Sequence, residues 1–524
     1  MIKKIISYDT TLRDGQQGED VEFSPQDMIR IAKRLDEMGF HFIEGGWPGA
    51  NPRFDEFFRL AKGIDFKNAK LVAFGKTREK KTRVEENKCL KALVASGTPA
   101  VAIFGKTWKL HVEEIMRNSL EENLKMIYES VKFLKDKGKI VIYDAEHFFD
   151  GYKDDPEYAI KTLQVALNAG ADYLVFCDTN GGTLPFEVEE IVSATIKHLG
   201  ENHKYGIHAH NDCNMAVANS IIAVRPGVAM VQGTINGYGE RTGNVDLTSV
   251  IPVLQLKMNY DCLAPENLAR LYELSGFVSE VANLSPFKNR PFVGQNAFAH
   301  KGGVHVSAIN KNPLAYEHMD PTLVGNKSRV LVSDLAGKSN ISNKVKKLGI
   351  EFPDISYTDI ANRVKELEAQ GYKFENADDS LRLLIKRESG QFTPLFYLES
   401  FDIIISKRGK NDCRSVATVK IISDEGREEL AAAEGFGPVG ALDNALRKAL
   451  RQIFPGDFER LHLVDFKVRV IDGNDGTGAM VRTSIESKYN DQNIRTVGAS
   501  RDVVDASFQA LMDSFHSVLK KNGN

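Results

Sequence analysis

Cysteine is scarce in this chain of 524 residues. Its five cysteines, Cys89, Cys177, Cys213, Cys262 and Cys413, are scattered, odd in number and never spaced as CxxC. That argues against a disulfide framework or a cysteine zinc cluster. Net charge is equally scarce. Lys and Arg number 68 against 71 Asp and Glu, a formal charge of −3. A chain that coats nucleic acid or an anionic membrane carries a strong basic excess, so neither partner is expected. No stretch offers the roughly 18 uncharged apolar residues of a membrane span. The apolar run after Lys3-Lys4 is shorter than the roughly 7–15 residues of a secretory leader. No GxGxxG follows the first strand-like run, against a dinucleotide-binding fold. The expected setting is the reduced cytoplasm.

What is present is a globular mixture, 42% hydrophobic and 27% charged. The first 263 residues alternate short β-rich runs with polar helical stretches. The runs cover 4–9, 41–46, 70–75, 100–105, 139–144, 172–178, 205–210 and 229–235. A helix over 24–38 shows the pattern: Ile29, Ala32, Leu35 and Met38 recur at a 3–4 residue spacing, Ser24-Pro25 opens it and Gly39 stops it. Eight such units in this length predict an α/β fold, a (β/α)8 TIM barrel over 1–263. Residues 264–392 lose the alternation and predict helical linker subdomains (265–277, 358–369 and 378–389) around a Gly-, Asn- and Lys-rich passage near 290–347. Residues 393–524 predict a C-terminal α+β regulatory domain with a twofold internal repeat. Strands over 397–407 and 415–423 precede a Gly-rich turn at 435–438 and a helix over 439–454. Strands over 461–471 and 479–488 precede a turn at 498–501 and a helix over 502–519.

A parallel barrel places its chemistry where strands end. Polar and ionisable groups crowd those positions here. His208 and His210 are two apart on one strand, so both imidazoles face the same way. Asp14, after the first strand, adds a carboxylate, and Asn244, after the eighth, a carbonyl oxygen. This donor set suits a divalent catalytic metal and leaves Mg, Mn and Zn open. Arg13 is placed to donate to an oxyanion. Glu146 is the general-base candidate. Phe74, Phe104 and Tyr143, at or near the ends of the third to fifth runs, predict a side-chain pocket with room for little more than a methyl group.

Three motifs in order, Asp9-x-Thr11-Leu12-Arg13-Asp14-Gly15, His208-x-His210-Asn211-Asp212 and Gly237-x-Gly239-Glu240-Arg241-x-Gly243-Asn244, resemble the family of 2-isopropylmalate, homocitrate and citramalate synthases. Phe298-Ala299-His300-Lys301-Gly302-Gly303-Val304-His305 resembles the family's subdomain motif, and the C-terminal repeat its allosteric domain. The resemblance implies an acyltransferase that condenses acetyl-CoA with a 2-oxo acid. It implies that Asp14, His208 and His210 hold the metal with Asn244 in or near the shell, and that Arg13 polarises the keto oxygen. It further implies that Thr179 binds the substrate carboxylate and that Glu146 takes part in acid/base chemistry. His305 is implied to reach a partner subunit's barrel in a swapped homodimer. Where the family often carries an acid two residues after that histidine, this chain has Ser307.

The segments 44–49 and 143–151 resemble the citramalate branch most. That implies pyruvate as the 2-oxo acid, (R)-citramalate as the product and isoleucine biosynthesis as the setting, with 2-isopropylmalate and homocitrate synthesis as alternatives. Feedback by isoleucine is expected at the paired turns, near Gly435, Gly437, Pro438, Gly498 and Ser500. Retro-aldol lyases on a similar barrel lack the long C-terminal repeat. A biotin-dependent carboxyltransferase needs a central lysine that is not found at the end of the fifth or sixth run. A catalytically dead sensor would have no need of intact Arg13, Asp14, His208, His210 and Glu146.

Overall fold

The computed structural model describes residues 3–332, 338–350, 356–408, 412–454, 456, 458–471, 476 and 478–519. Part of the Gly-, Asn- and Lys-rich passage near 290–347 therefore lies outside the described residues. The chain divides into two compact units, one of residues 1–298 with 319–327, the other of 299–318 with 328–524.

The first unit is a closed parallel barrel with strand order β1 to β8. The strands are β1 (Ile6–Asp9), β2 (Phe42–Glu44), β3 (Lys70–Lys76), β4 (Ala100–Lys106), β5 (Ile140–Glu146), β6 (Tyr173–Asp178), β7 (Tyr205–Ala209) and β8 (Met230–Gly233). Each coincides with one of the eight expected runs. Helices cover the outside. The helix Pro25–Glu37 begins where expected, with the Ser24 side chain accepting from the Asp27 N–H, and it buries Ile31, Ala32 and Leu35 against the barrel. Strand alternation then sorts side chains into two cores. Tyr8, Phe42, Val72, Phe74, Ala102, Ile142, Val175 and Met230 fill the barrel interior. Val101, Ile103, Val141, Tyr143 and Ala145 pack outward against the helices.

The second unit carries the helices α1 (Tyr357–Ala369) and α2 (Asp378–Glu388), followed by two antiparallel three-stranded sheets. The first sheet is β9 (Phe396–Arg408), β10 (Asp412–Ser423) and β11 (Glu428–Gly435), followed by helix α3 (Gly437–Ile453). The second is β12 (His462–Val470), β13 (Val481–Tyr489) and β14 (Gln492–Ser500), followed by helix α4 (Val503–Val518). The expected twofold repeat is there, with one more strand in each half than its sequence suggests. Leu442, Leu446 and Leu450 of α3 share one core with Phe508, Leu511 and Phe515 of α4.

The expected domain limits differ from these units. Residues 264–298 belong with the barrel, because Leu268, Leu271, Leu274 and Val278 enter its outer core. Helices α1 and α2 belong with the C-terminal sheets, because their apolar faces share a core with Val497 of β14. Among the described residues, no helix is long and apolar enough to cross a membrane.

Candidate active site

The C-terminal ends of the barrel strands surround a cavity of about 430 Å³. Its lining includes Arg13, Asp14, Trp47, Phe74, Phe104, Asp144, Glu146, Cys177, Thr179, His208 and His210. At one side, single ligand atoms of Asp14, His208 and His210 all lie within 4.8 Å of one another, and all three residues are buried. His208 Nε2 is 3.2 Å from Asp14 Oδ2.

Three buried atoms at this point have no hydrogen-bond partner among the described residues: Asp14 Oδ1, His210 Nδ1 and Asn244 Oδ1. Orphaned acceptors are costly inside a protein. The grouping of Asp14 and His210 with His208 matches a hard or borderline divalent cation. Asn244 is brought there by its loop. His210 and Asn244 form an antiparallel bridge, and the Gly243 carbonyl accepts from the Asn211 N–H. Gly243 has φ +96°, and a Cβ on it would sit 2.0 Å from the Gly237 carbonyl oxygen, so the loop closes only with glycine there.

His208 is held from behind. Its register partner on β8 is Gln232. His208 Nδ1 lies 2.9 Å from Gln232 Oε1, and Gln232 Nε2 donates to Asp144 Oδ1 at 3.1 Å. The contact assigns the ring proton to Nδ1 and turns Nε2 toward Asp14, the arrangement a metal-ligating histidine needs. Burial pushes the Asp144 carboxyl up to about 7, with Glu44 adding to the effect. Burial alone would lower the His208 imidazolium, but the Asp14 carboxylate outweighs it and raises it. His210 is pulled down to about 4 by burial and by His208. Burial would raise the Asp14 carboxyl, yet Arg13 and His208 hold it well below the usual carboxylate range.

Arg13 is fixed on three sides. It bonds Asp14 Oδ2 at 2.8 Å and Glu44 Oε1 at 2.5 Å, and its guanidinium lies 3.8 Å over the Phe74 ring. Glu44 is fully buried and also accepts from the Tyr8 and Thr10 hydroxyls. Glu146 forms an ion pair with its register partner Lys106. The Thr179 hydroxyl accepts the His147 N–H at 2.9 Å, which leaves its own proton to donate into the cavity. His147 holds a left-handed backbone, φ 58°, at the end of β5.

Phe74 and Phe104 stack with ring centroids 5.6 Å apart, and both line the cavity. Tyr143 is corrected. On β5 the side chains of Ile142, Asp144 and Glu146 turn inward, so Tyr143 must turn outward. It packs in the helix layer, where its hydroxyl would meet a Cβ on Gly105 at 2.7 Å. The third ring of the pocket is Trp47, edge-on to both phenylalanines at 5.8 Å. Its neighbours 44–49 stood out in the sequence, but nothing local aims the indole into the barrel.

His305 lies in the other unit, on the short helix Gly303–Ile309, where its ring stacks on Tyr316 at 4.0 Å. The expected effector turns are strand ends. A Cβ on Gly435 would sit 2.3 Å from the Ala441 nitrogen, and one on Gly498 2.1 Å from the Ala506 carbonyl, so these glycines let strands β11 and β14 touch helices α3 and α4. Gly437 and Pro438 open α3, and Ser500 ends β14.

Comparison with known proteins gives three family matches. Residues 4–278 match the HMGL-like family, 292–372 the homocitrate synthase post-HMGL domain-like family, and 375–519 the LeuA allosteric (dimerisation) domain. The chain is similar to the (R)-citramalate synthase of Aquifex aeolicus, 51% identical over 100% of this chain and 99% of that protein. It is similar to that of Geobacter sulfurreducens, 50% identical over 98% and 97%. A 2-isopropylmalate synthase of Lysinibacillus sphaericus is 29% identical over 99% and 98%.

Proposed function

The chain belongs to the HMGL-like family, within its (R)-citramalate synthase branch, and on that premise we propose that it condenses acetyl-CoA with pyruvate and water to give (R)-citramalate and CoA. The observation that carries this reading is one cavity holding the Asp14, His208 and His210 cluster, the clamped Arg13 and the three rings of Trp47, Phe74 and Phe104. A divalent ion, Mn, Mg or Zn, held by Asp14, His208 and His210 with Asn244 beside them, would supply Lewis-acid polarisation of the keto group.

The chain's own residues do the rest. Arg13 donates to the keto oxygen as it becomes an alkoxide. Its two carboxylate partners fix it beforehand, so little reorganisation is needed in the transition state. Thr179 donates to the substrate carboxylate. The aromatic walls leave space beside the keto carbon for a methyl group and crowd out a branched side chain. A base takes a proton from the acetyl methyl group, and the resulting carbanion attacks the keto carbon. Two side chains have the chemistry for it. Glu146, kept beside Lys106, lines the cavity; His305 has the chemistry too, and the family resemblance places it against a partner subunit's barrel. Water then cleaves the thioester, which makes the condensation effectively irreversible. An amino-acid effector, isoleucine, acts on the C-terminal domain of a homodimer with exchanged subdomains. The match of that domain to an allosteric, dimerising family supports this.

The test is release of CoA from acetyl-CoA with pyruvate and with 2-oxoisovalerate as alternative acceptors. Preference for pyruvate supports the reading; preference for the branched acid sinks it. Exchange of the acetyl methyl protons with deuterium in Glu146→Gln and His305→Asn identifies the base as the variant that loses exchange.

A further inference from the structure

The rim of the barrel cavity carries an arginine that the proposed reaction does not use. Arg241 stands in the loop after β8 and lines the cavity beside Glu240. Its side chain reaches out of its own loop. Nε donates to Asp212 Oδ1 at 2.8 Å and Nη2 to Asp212 Oδ2 at 2.9 Å, a parallel pair of bonds to the loop after β7. Nη2 also donates to the Thr179 carbonyl at 2.8 Å, in the loop after β6. One guanidinium therefore ties together the loops that follow β6, β7 and β8.

An ion pair at a protein surface is ordinarily worth little. Other observations set this one apart. Two-bond arginine–carboxylate geometry is directional and stronger than a single contact. Arg241 holds a left-handed backbone, φ 57°, which a residue with a Cβ keeps only where its surroundings impose it. The neighbouring loops also approach closely, since a Cβ on Gly181 would lie 2.5 Å from Asp212 Oδ2.

The residues that flank the tie show what it fixes. Asp212 closely follows His210 in the chain, and Arg241 closely precedes Asn244. Thr179 is gripped on its other side as well. Its hydroxyl accepts the His147 N–H at 2.9 Å, and Asp150 Oδ2 accepts from Asn180 Nδ2 at 3.0 Å and faces His147 Nδ1 at 3.3 Å. Side-chain bonds between loops thus set the spacing between the Thr179 hydroxyl and the cluster of Asp14, His208 and His210.

We propose that Arg241, through Asp212 and the Thr179 carbonyl, is a positioning residue that sets the distance from the hydroxyl that takes the substrate carboxylate to the cluster that faces the keto oxygen. A 2-oxo acid spans that distance, so its affinity follows the tie. A small displacement of an orienting group is enough to cost binding and rate. The inference rests on the proposed role of Thr179 in holding a 2-oxo acid.

The experiment is isothermal titration of the full-length, Mn2+-loaded protein with pyruvate, without acetyl-CoA. Arg241→Gln and Asp212→Asn are each expected to weaken pyruvate binding about tenfold, the worth of a charge-assisted bond. The double variant should lose little more than either single one, since both break the same contact. Arg241→Lys should not restore binding, because an ammonium cannot make the parallel pair. Mn2+ affinity should stay within about threefold of wild type, since no metal-binding side chain bonds to the guanidinium. Circular dichroism checks folding, and if Arg241→Gln does not fold, Asp212→Asn decides. Pyruvate affinity within about twofold of wild type in the folded variants overturns the proposal. An equal fall in Mn2+ and pyruvate affinity, which would make the pair a prop for the whole rim, also overturns it. So does a change confined to the KM for acetyl-CoA. Unchanged pyruvate affinity in Thr179→Val, beside a loss in Arg241→Gln, would make Arg241 a direct contact and overturn it too. If wild type ignores pyruvate but binds 2-oxoisovalerate, and Arg241→Gln weakens that binding about tenfold, the choice of substrate falls and the tie stands.

Discussion

Gln232 shows how a site depends on side chains that never meet a substrate. Its Oε1 accepts a hydrogen bond from His208 Nδ1–H and its Nε2 donates one to Asp144, so it sets which ring nitrogen faces the cluster. Gln232→Leu keeps the volume and removes both bonds. Metal affinity is expected to fall about 10–100-fold, as for other lost partners of metal-binding histidines. Titration of the chelator-treated protein with Mn2+ measures it, and unchanged affinity would mean that Gln232 only fills space. Trp47 makes a parallel case for substrate choice. The indole closes the aromatic box with Phe74 and Phe104. Trp47→Ala is expected to lower kcat/KM for pyruvate and raise it for 2-oxoisovalerate, changing their ratio by at least about 10-fold. A pocket difference of one or two methylenes is worth that much.

Among elements, the barrel strands were the most legible. Each is a short β-rich run bounded by polar residues, and the chemistry crowds at one end of each. Asp14, His208, His210 and Asn244 could be picked out because they stand at those ends. Gln232, Asp144 and Glu44 could not be assigned roles, because an inward polar residue acquires its meaning from a neighbouring strand rather than from its own. Tyr143 departs from its expected place because position at a strand end does not say which way a side chain points; Asp144 and Glu146 on the same strand decide that. Strand β11 escaped because Glu428-Glu429-Leu430-Ala431-Ala432-Ala433-Glu434 is poor in strand formers. Pairing with β10 along eight residues overrides that composition.

Helix α4 carries an element-scale consequence for pH. His516 stacks on Phe396 at 4.4 Å, and burial, with Arg387 nearby, lowers its pKa from 6.5 to about 4. The unfolded chain therefore binds the proton more readily than the folded one. Stability is full above about pH 6.5 and falls as pH drops toward 4, with about 2 kcal/mol lost by pH 5. His516→Gln is expected to flatten that loss. Calorimetric melting of the C-terminal unit between pH 7.5 and 5 tests it, and an equal drop in Tm for wild type and variant would contradict it.

At the scale of the whole molecule, sequence reading gave three regions where contacts form two units. The difference arises because apolar stripes on helices such as α2 do not announce their partner. Leu381, Leu384 and Ile385 would suit any core, and only the fold shows that Val497 of β14 is in theirs. The functional account depends less on those borders than on one grouping within the barrel, where residues from positions 14, 208 and 210 converge. Anomalous diffraction from crystals grown with Mn2+ tests that grouping most directly. One manganese per chain within bonding distance of Asp14, His208 and His210 is the expected result. Manganese at another place in the barrel, with these three side chains turned away from it, would contradict the account.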